Sequence, residues 1–204
     1  MKAPEHDGRR EIAVPKMHVS RQRRSQLKGH RPCVIWLTGL SGAGKSTLAN
    51  ALDDELNRRG LHTYILDGDD LRSGLSSDLG FESGDREENV RRVGEVARLM
   101  LDAGLIVIAA LISPYRESRS KLRHRFGEGE FFEIYLSTPL EVCEERDPKG
   151  LYRKARSGAI DDFTGVDSEY QPPISPDLLL DTSELPVSKA VERLVEILPV
   201  CSTH

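Results

Sequence analysis

The sequence predicts an α/β protein with a central parallel sheet and helices on both faces. Two observations carry that prediction: short apolar runs alternate with segments whose apolar residues recur at helical spacing, and a glycine-rich stretch, GLSGAGKST at residues 39–47, separates the first run from the first such segment. Length sets a bound. A chain of 204 residues, 38% hydrophobic and 30% charged, can bury one full core, so one domain over residues 31–204 is expected behind an arm at residues 1–30.

The arm is basic. Residues 1–31 carry nine Lys and Arg against three Asp and Glu, whereas the remainder has twenty against thirty, and the net charge is −4. Its RRE, RQRR and KGHR clusters can be read as a surface for nucleic acid or an acidic partner, or as a solvated, partly disordered leader. Composition favours the leader, and nucleic acid is not an expected partner. Three cysteines without a CxxC pair argue against a disulfide framework or zinc site, and Cys33 and Cys143 lie in apolar patterns that suit a core. No apolar run suits a signal peptide or a membrane span, so a soluble, cytoplasmic protein is expected.

The strands expected are CVIWLT (33–38), TYILD (63–67), LIVIAALI (105–112), FFEIYL (131–136) and LLLD (178–181). Between the first two, Leu48, Leu52 and Leu56 share a helix face that ends before Gly60. Asp85 and Glu88 read as a capping-box-like start for a second helix, whose Val90, Val93, Ala97 and Met100 form a face before Gly104. Thr138, Pro139 and Glu141 open a further helix ending near Arg146. Residues 147–176, polar, first basic and then rich in Gly and Pro, read as a long mobile excursion, with a lid at about 147–165.

Context strengthens the glycine-rich stretch. Gly39 to Ser46 fits GxxxxGK[ST], with a strand before it and a helix after it, which defines a P-loop. Gly39, Gly42 and Gly44 let backbone N–H groups turn inward around phosphate; Lys45 would bridge the β- and γ-phosphates, and the Ser46 hydroxyl would ligate Mg²⁺. Leu40, Ser41, Ala43 and Thr47 complete this ATP-binding stretch. The guanine-reading [NT]KxD pattern is absent, and the small size with a basic lid points to a P-loop kinase for a small acceptor.

An open parallel sheet places its ligands at the carboxyl ends of its strands. The second strand ends in LDGDDLRSGL, which supplies Asp67, Asp69, Asp70 and Arg72; the plainer reading is a solvated turn with a helix cap. The third ends in LISPYRES, with Ser113 where many P-loop enzymes carry an acid, so the acid is expected from the DGD turn, with Asp69 as catalytic and metal-organising residue.

GLSGAGKST, LDGDDLR, LGFESGDREENVRRVGEVA, ISPYR, RDPKGLYRKARSG and FTGVDSEYQPP stand in the order and spacing of the adenylylsulfate (adenosine 5′-phosphosulfate, APS) kinases, which the chain resembles from about His18 to its last helix. The resemblance implies transfer of the γ-phosphate of MgATP to the 3′-hydroxyl of APS, giving 3′-phosphoadenylyl sulfate (PAPS), by a homodimer. It implies APS contacts from Arg72, Arg86 and Asn89, and an adenine held between Phe81 and Phe163, which composition alone reads as equally suited to a core. Arg146 matches a nucleotide-binding position, and Lys149, Arg153, Lys154 and Arg156 fall in the lid, Lys154 on the substrate side.

Ser113 matches the family's phosphoenzyme serine. With no histidine near it in sequence, it is read here as hydrogen-bonding substrate or orienting the Pro114–Tyr115–Arg116 turn. The chain departs from the family pattern at Asp70, where Asn is usual, at Leu111, where Phe is common, and at Ser76 and Ser77, where Asn-Arg is frequent. A P-loop kinase for another nucleotide or small metabolite is the alternative reading, and a nucleotide-binding docking subunit is a second; Lys45, Ser46 and Asp69 argue against the second.

Overall fold

The computed structural model describes residues 18–199. Five parallel strands, β1 (Val34–Thr38), β2 (Thr63–Asp67), β3 (Ile106–Ala110), β4 (Phe131–Leu136) and β5 (Leu178–Leu180), form one sheet in the order β2-β3-β1-β4-β5. Strand β1 is central and every residue of it is buried, with Val34 opposite Val107 on one side and Phe131 on the other. All five strand expectations hold to within two residues at each end.

The period of two along β1 divides the core between the faces of the sheet. Ile35 and Leu37 point into a cluster with Leu48, Leu52 and Leu56 of α2 (Lys45–Arg58) and Ala190, Val191 and Leu194 of α8 (Val187–Ile197). Val34 and Trp36 point the other way, to Val90, Val93, Ala97 and Leu101 of α4 (Ser83–Asp102) and Leu122 of α5 (Arg116–Arg123). The predicted helix faces are therefore the buried ones, with Met100 only half-buried at the edge.

Three local expectations differ. Helix α4 begins at Ser83 with Glu82 as an N-cap that makes no side-chain cap bond, so Asp85 and Glu88 form no capping box. The Glu88 carboxylate instead accepts from the guanidinium groups of Arg91 and Arg92, and such charge-assisted bonds outcompete a single backbone N–H. Helix α6 (Leu140–Arg146) starts where expected, but the Thr138 hydroxyl turns to Thr182 and the Ala43 carbonyl instead of capping it. Part of the arm is also a packed element. Helix α1 (Arg21–Lys28) is capped by Ser20 and Gly29 and docks through Arg24 to Asp102 and Arg21 to Glu130, so this stretch is not a solvated leader. The RRE cluster lies outside the described residues.

The expected excursion at residues 147–176 is anchored on one side. It holds α7 (Leu151–Arg156) and buries Tyr152, Ala155, Phe163 and Thr164, while α3 (Gly68–Ser73) follows directly on β2. The Asp147 carboxylate accepts from the Tyr152 and Arg153 amides at 3.1 Å each, and the Tyr152 hydroxyl donates to the Ser41 carbonyl at 3.0 Å. A six-residue helix is too short to display a readable period.

Gly94 of α4 marks the closest approach of α4 and α5, since a Cβ there would stand 2.2 Å from Leu122 Cδ1. Gly94→Ala gains roughly 0.5–1 kcal/mol of helix propensity but overpacks the contact by about 1–3 kcal/mol, so a net loss is predicted. A lower urea midpoint at unchanged m-value checks this; an unchanged or higher midpoint would mean that α5 yields freely.

Candidate active site

The loop after β1 takes its shape from backbone that no side chain could share. A Cβ on Gly39 would lie 2.7 Å from the Leu136 carbonyl oxygen, and one on Gly42 would lie 2.6 Å from that of Cys143, with φ of +152° and +75°. Gly44, at φ +89°, is the N-cap of α2, so the loop's amides collect at the positive end of that helix. Lys45 donates across the loop to the carbonyls of Gly39 at 2.9 Å and Leu40 at 2.7 Å. Burial of its ammonium holds its pKa down to about 8, with Cys143 and Asp67 pulling weakly the other way.

Leu40 and Ala43 are tied by the Ala43 amide, while Ser46 and Thr47 face outward at the first turn of α2. On the β5 side, Thr182 donates to the Ala43 carbonyl at 3.0 Å, and Arg146 grips Thr182 through its hydroxyl and its carbonyl, each at 2.8 Å. Arg146 also donates to the Gly42 carbonyl of the loop at 3.3 Å. Thr182 went unassigned in the sequence, although its place just after a strand's carboxyl end was the available signal.

The acidic turn after β2 divides its duties differently from expectation. Asp67, not Asp69, meets the P-loop: one of its oxygens accepts from the Ser46 hydroxyl at 2.6 Å, and the other caps α3 at the Asp69 amide, 3.0 Å away. Asp69, one position into α3, projects outward and pairs with Lys149 from the start of the 147–165 segment. Both side chains of that pair are at least half exposed. The aspartate that ends a strand is carried by the sheet, while the next ones follow the helix.

Across the end of β3 lies a second cationic group. Arg72 lies 4.4 Å over the Phe81 ring and donates to the Gly80 carbonyl at 2.7 Å. Arg86 is buried and reaches three ways, to the Phe81 carbonyl at 2.6 Å, the Thr164 hydroxyl at 2.8 Å and the Asp162 carbonyl. Burial lowers the pKa of both arginines. Asn89, one turn along α4 from Arg86, is buried with its Oδ1 lacking a hydrogen-bond partner within the protein. Arg86 joins the segments that carry the two phenylalanines, but the rings differ in setting. Phe81 is 58% exposed, whereas Phe163 is 8% exposed, edge-on to Tyr152 at 5.0 Å. Lys154 is exposed on α7. Ser113, at φ +40°, is buried with its hydroxyl turned inward, accepting from Trp36 Nε1 at 3.1 Å and donating to Thr38 Oγ1 at 3.0 Å.

A lysine enclosed by a glycine loop at the head of a helix, on a sheet ordered 2-3-1-4-5, defines the class as a P-loop kinase. Residues 31–181 match the family model for adenylylsulphate kinase. An adenylyl-sulfate kinase of Shewanella amazonensis is 58% identical over 180 residues, covering 88% of this chain and 91% of that protein. A probable adenylyl-sulfate kinase of Bacillus subtilis is 53% identical over 180 residues, covering 88% and 90%. Among solved structures, the Mycobacterium tuberculosis APS kinase CysC in complex with AMPPNP and APS superposes with a TM-score of 0.79 at 45% identity, over 82% of this chain and 97% of that one.

The chain belongs to the adenylylsulphate kinase family. Its reaction is the family's, phosphorylation of APS to PAPS.

The depressed Lys45 makes triphosphate binding proton-linked. Phosphate favours the charged ammonium, so binding at about pH 8.5 takes up a proton at Lys45, whereas at about pH 7 the lysine is already charged and little uptake occurs. Calorimetric titration of a nucleoside triphosphate in two buffers of different ionisation enthalpy should show a buffer-dependent heat at the higher pH, absent in Lys45→Ala. A buffer-independent heat in the wild type at that pH would show that the lysine is not depressed.

Proposed function

We propose a residue-level account of the reaction in which ATP is held by the loop Gly39–Thr47 with Lys45 on the β- and γ-phosphates, and Arg146, braced by Thr182, covers the nucleotide. The M. tuberculosis relative, solved with AMPPNP and APS, supports the choice of the two ligands. The observation that carries the account is the placement of Lys45 among backbone carbonyls on one side of the β3 end, with the Arg72, Arg86 and Asn89 group on the other.

The acceptor is held on that second side. Arg72 and Arg86 meet the anionic phosphosulfate, Asn89 Oδ1 accepts a hydrogen bond that the protein leaves unmade, and Phe81 and Phe163 hold the adenine, with Lys154 above. Phe163, buried against Tyr152, has to uncover a ring face to serve as the inner wall, whereas Phe81 supplies the exposed outer face.

Mg²⁺ fits the hydroxyl–carboxylate pair of Ser46 and Asp67, since hard oxygen donors 2.6 Å apart suit a cation that keeps water and phosphate as its other ligands. No cluster of three or more acidic, His or Cys side chains that could hold a metal occurs among the described residues. Held there by Ser46 and Asp67, magnesium would supply charge neutralisation for the phosphates. Asp69 orients the 3′-hydroxyl once Lys149 releases it to close with the 147–165 lid. Lys45 stabilises the charge on the transferring group, and the phosphoryl passes directly to the acceptor. Ser113 acts through position, because its hydroxyl is already engaged at both its donor and an acceptor site. We further infer a cytoplasmic homodimer from the family resemblance; among the described residues no helix is long and apolar enough to cross a membrane.

Measurement of PAPS formed from ATP and APS tests the account with Phe81→Ala alongside the wild type. Loss of stacking should weaken APS by about 1–3 kcal/mol and leave the KM for ATP within about twofold. Equal weakening of both nucleotides would remove Phe81 from the acceptor site, and no PAPS from the wild type would contradict the reaction.

A further inference from the structure

The residue immediately before the P-loop ties the two halves of the site together. Thr38 is fully buried, and its Oγ1 has three neighbours: the Ile112 carbonyl at 2.7 Å, the Tyr170 hydroxyl at 2.9 Å and the Ser113 hydroxyl at 3.0 Å. A carbonyl only accepts, so the single Thr38 proton goes to Ile112. Both Tyr170 and Ser113 must then donate to Thr38, and Ser113 in turn accepts from Trp36. One proton arrangement satisfies every group, which is the condition under which a buried polar network specifies a single geometry.

The same elements are clamped from below. Arg119, 1% exposed, donates to the Ser113 carbonyl at 2.6 Å, the Gln171 carbonyl at 2.7 Å and Glu133 at 2.7 Å, and lies 5.7 Å under the Tyr170 ring. The Gln171 amide returns to the Pro114 carbonyl at 2.9 Å. Residues 113–114 and 170–171 therefore form one unit of the acceptor side. The Thr38 side chain is where that unit meets the donor loop, whose next residue, Gly39, holds the Lys45 ammonium.

We propose that Thr38 is a positioning residue that sets the register of the phosphoryl donor loop against the acceptor-side turns. It touches neither nucleotide; it fixes the approach of one to the other. This inference rests on the donor and acceptor assignments given above. Misregister of a small fraction of an ångström up to one ångström penalises the in-line encounter more than either binding step, so kcat is the parameter it governs.

Thr38→Val keeps the shape and removes the hydroxyl. It should lower kcat by about tenfold or more with the KM for ATP within about threefold, and Thr38→Ser should restore kcat to within about threefold of wild type. A purely structural part would lower thermal stability without this split between kcat and KM. Ser113→Ala and Tyr170→Phe supply an independent measurement that does not need the Thr38 variant to fold. The two hydroxyls meet through Thr38, so their effects on kcat should be non-additive in a double-mutant cycle. Folded Thr38→Val with wild-type kcat, a Thr38→Ser variant that fails to rescue a slowed Thr38→Val, or additive effects in the cycle would each overturn the proposal. Absence of PAPS from the wild type would instead contradict the reaction itself, so the two failures are distinct.

Discussion

Two carbonyl oxygens set the geometry on which the site depends. Leu136, at the end of β4, and Cys143, in α6, press their backbone oxygens so close to Gly39 and Gly42 that no Cβ fits at either position. The loop is thereby held tight against the sheet, its amides gather at the start of α2, and Lys45 is left with carbonyls in place of water around its ammonium. Desolvation then does two things. It lowers the lysine's pKa to about 8, and it strengthens the attraction between that charge and any phosphate the loop encloses.

The sheet order extends this constraint to the acceptor. Strand β3 lies between β1 and β2, so the P-loop, the Ser113 turn and the Asp67 turn emerge side by side at neighbouring carboxyl ends. The segment that runs from the end of β1 into α2 is joined to both of the others by short polar contacts, Ser46 to Asp67 and Thr38 to Ser113. Arg86 connects the far wall, linking the Phe81 carbonyl with the residues beside Phe163. The proposed donor and acceptor positions are in this way set by a rigid parallel sheet, while the exposed Lys149–Asp69 pair is a contact that solvent can replace.

Much of this was legible in the sequence because its signals are periodic or steric. The buried strands, the Leu48–Leu52–Leu56 face and the glycines of the loop each follow from one local rule that the fold does not override. What escaped depends on partners distant in the chain. Asp67 and Asp69 look equivalent in LDGDD, and only the end of β2 and the start of α3 separate the one that meets Ser46 from the one that faces Lys149. Glu88 has the spacing of a capping box, but Arg91 and Arg92 occupy it. The docking of α1 needs Asp102 and Glu130, and the parts of Thr38 and Arg119 arise from packing across the sheet, for which a single sequence carries no spacing signal.

A Ser113 hydroxyl committed inward to Trp36 and Thr38, and a Lys45 ammonium held by the P-loop, support the proposal that the phosphoryl group moves in one step from ATP to APS. The stereochemistry of transfer from ATP made chiral at its γ-phosphorus tests this most directly. A single in-line displacement predicts PAPS with inverted configuration at phosphorus. Retention, the mark of two successive displacements through a phosphorylated residue, would contradict it.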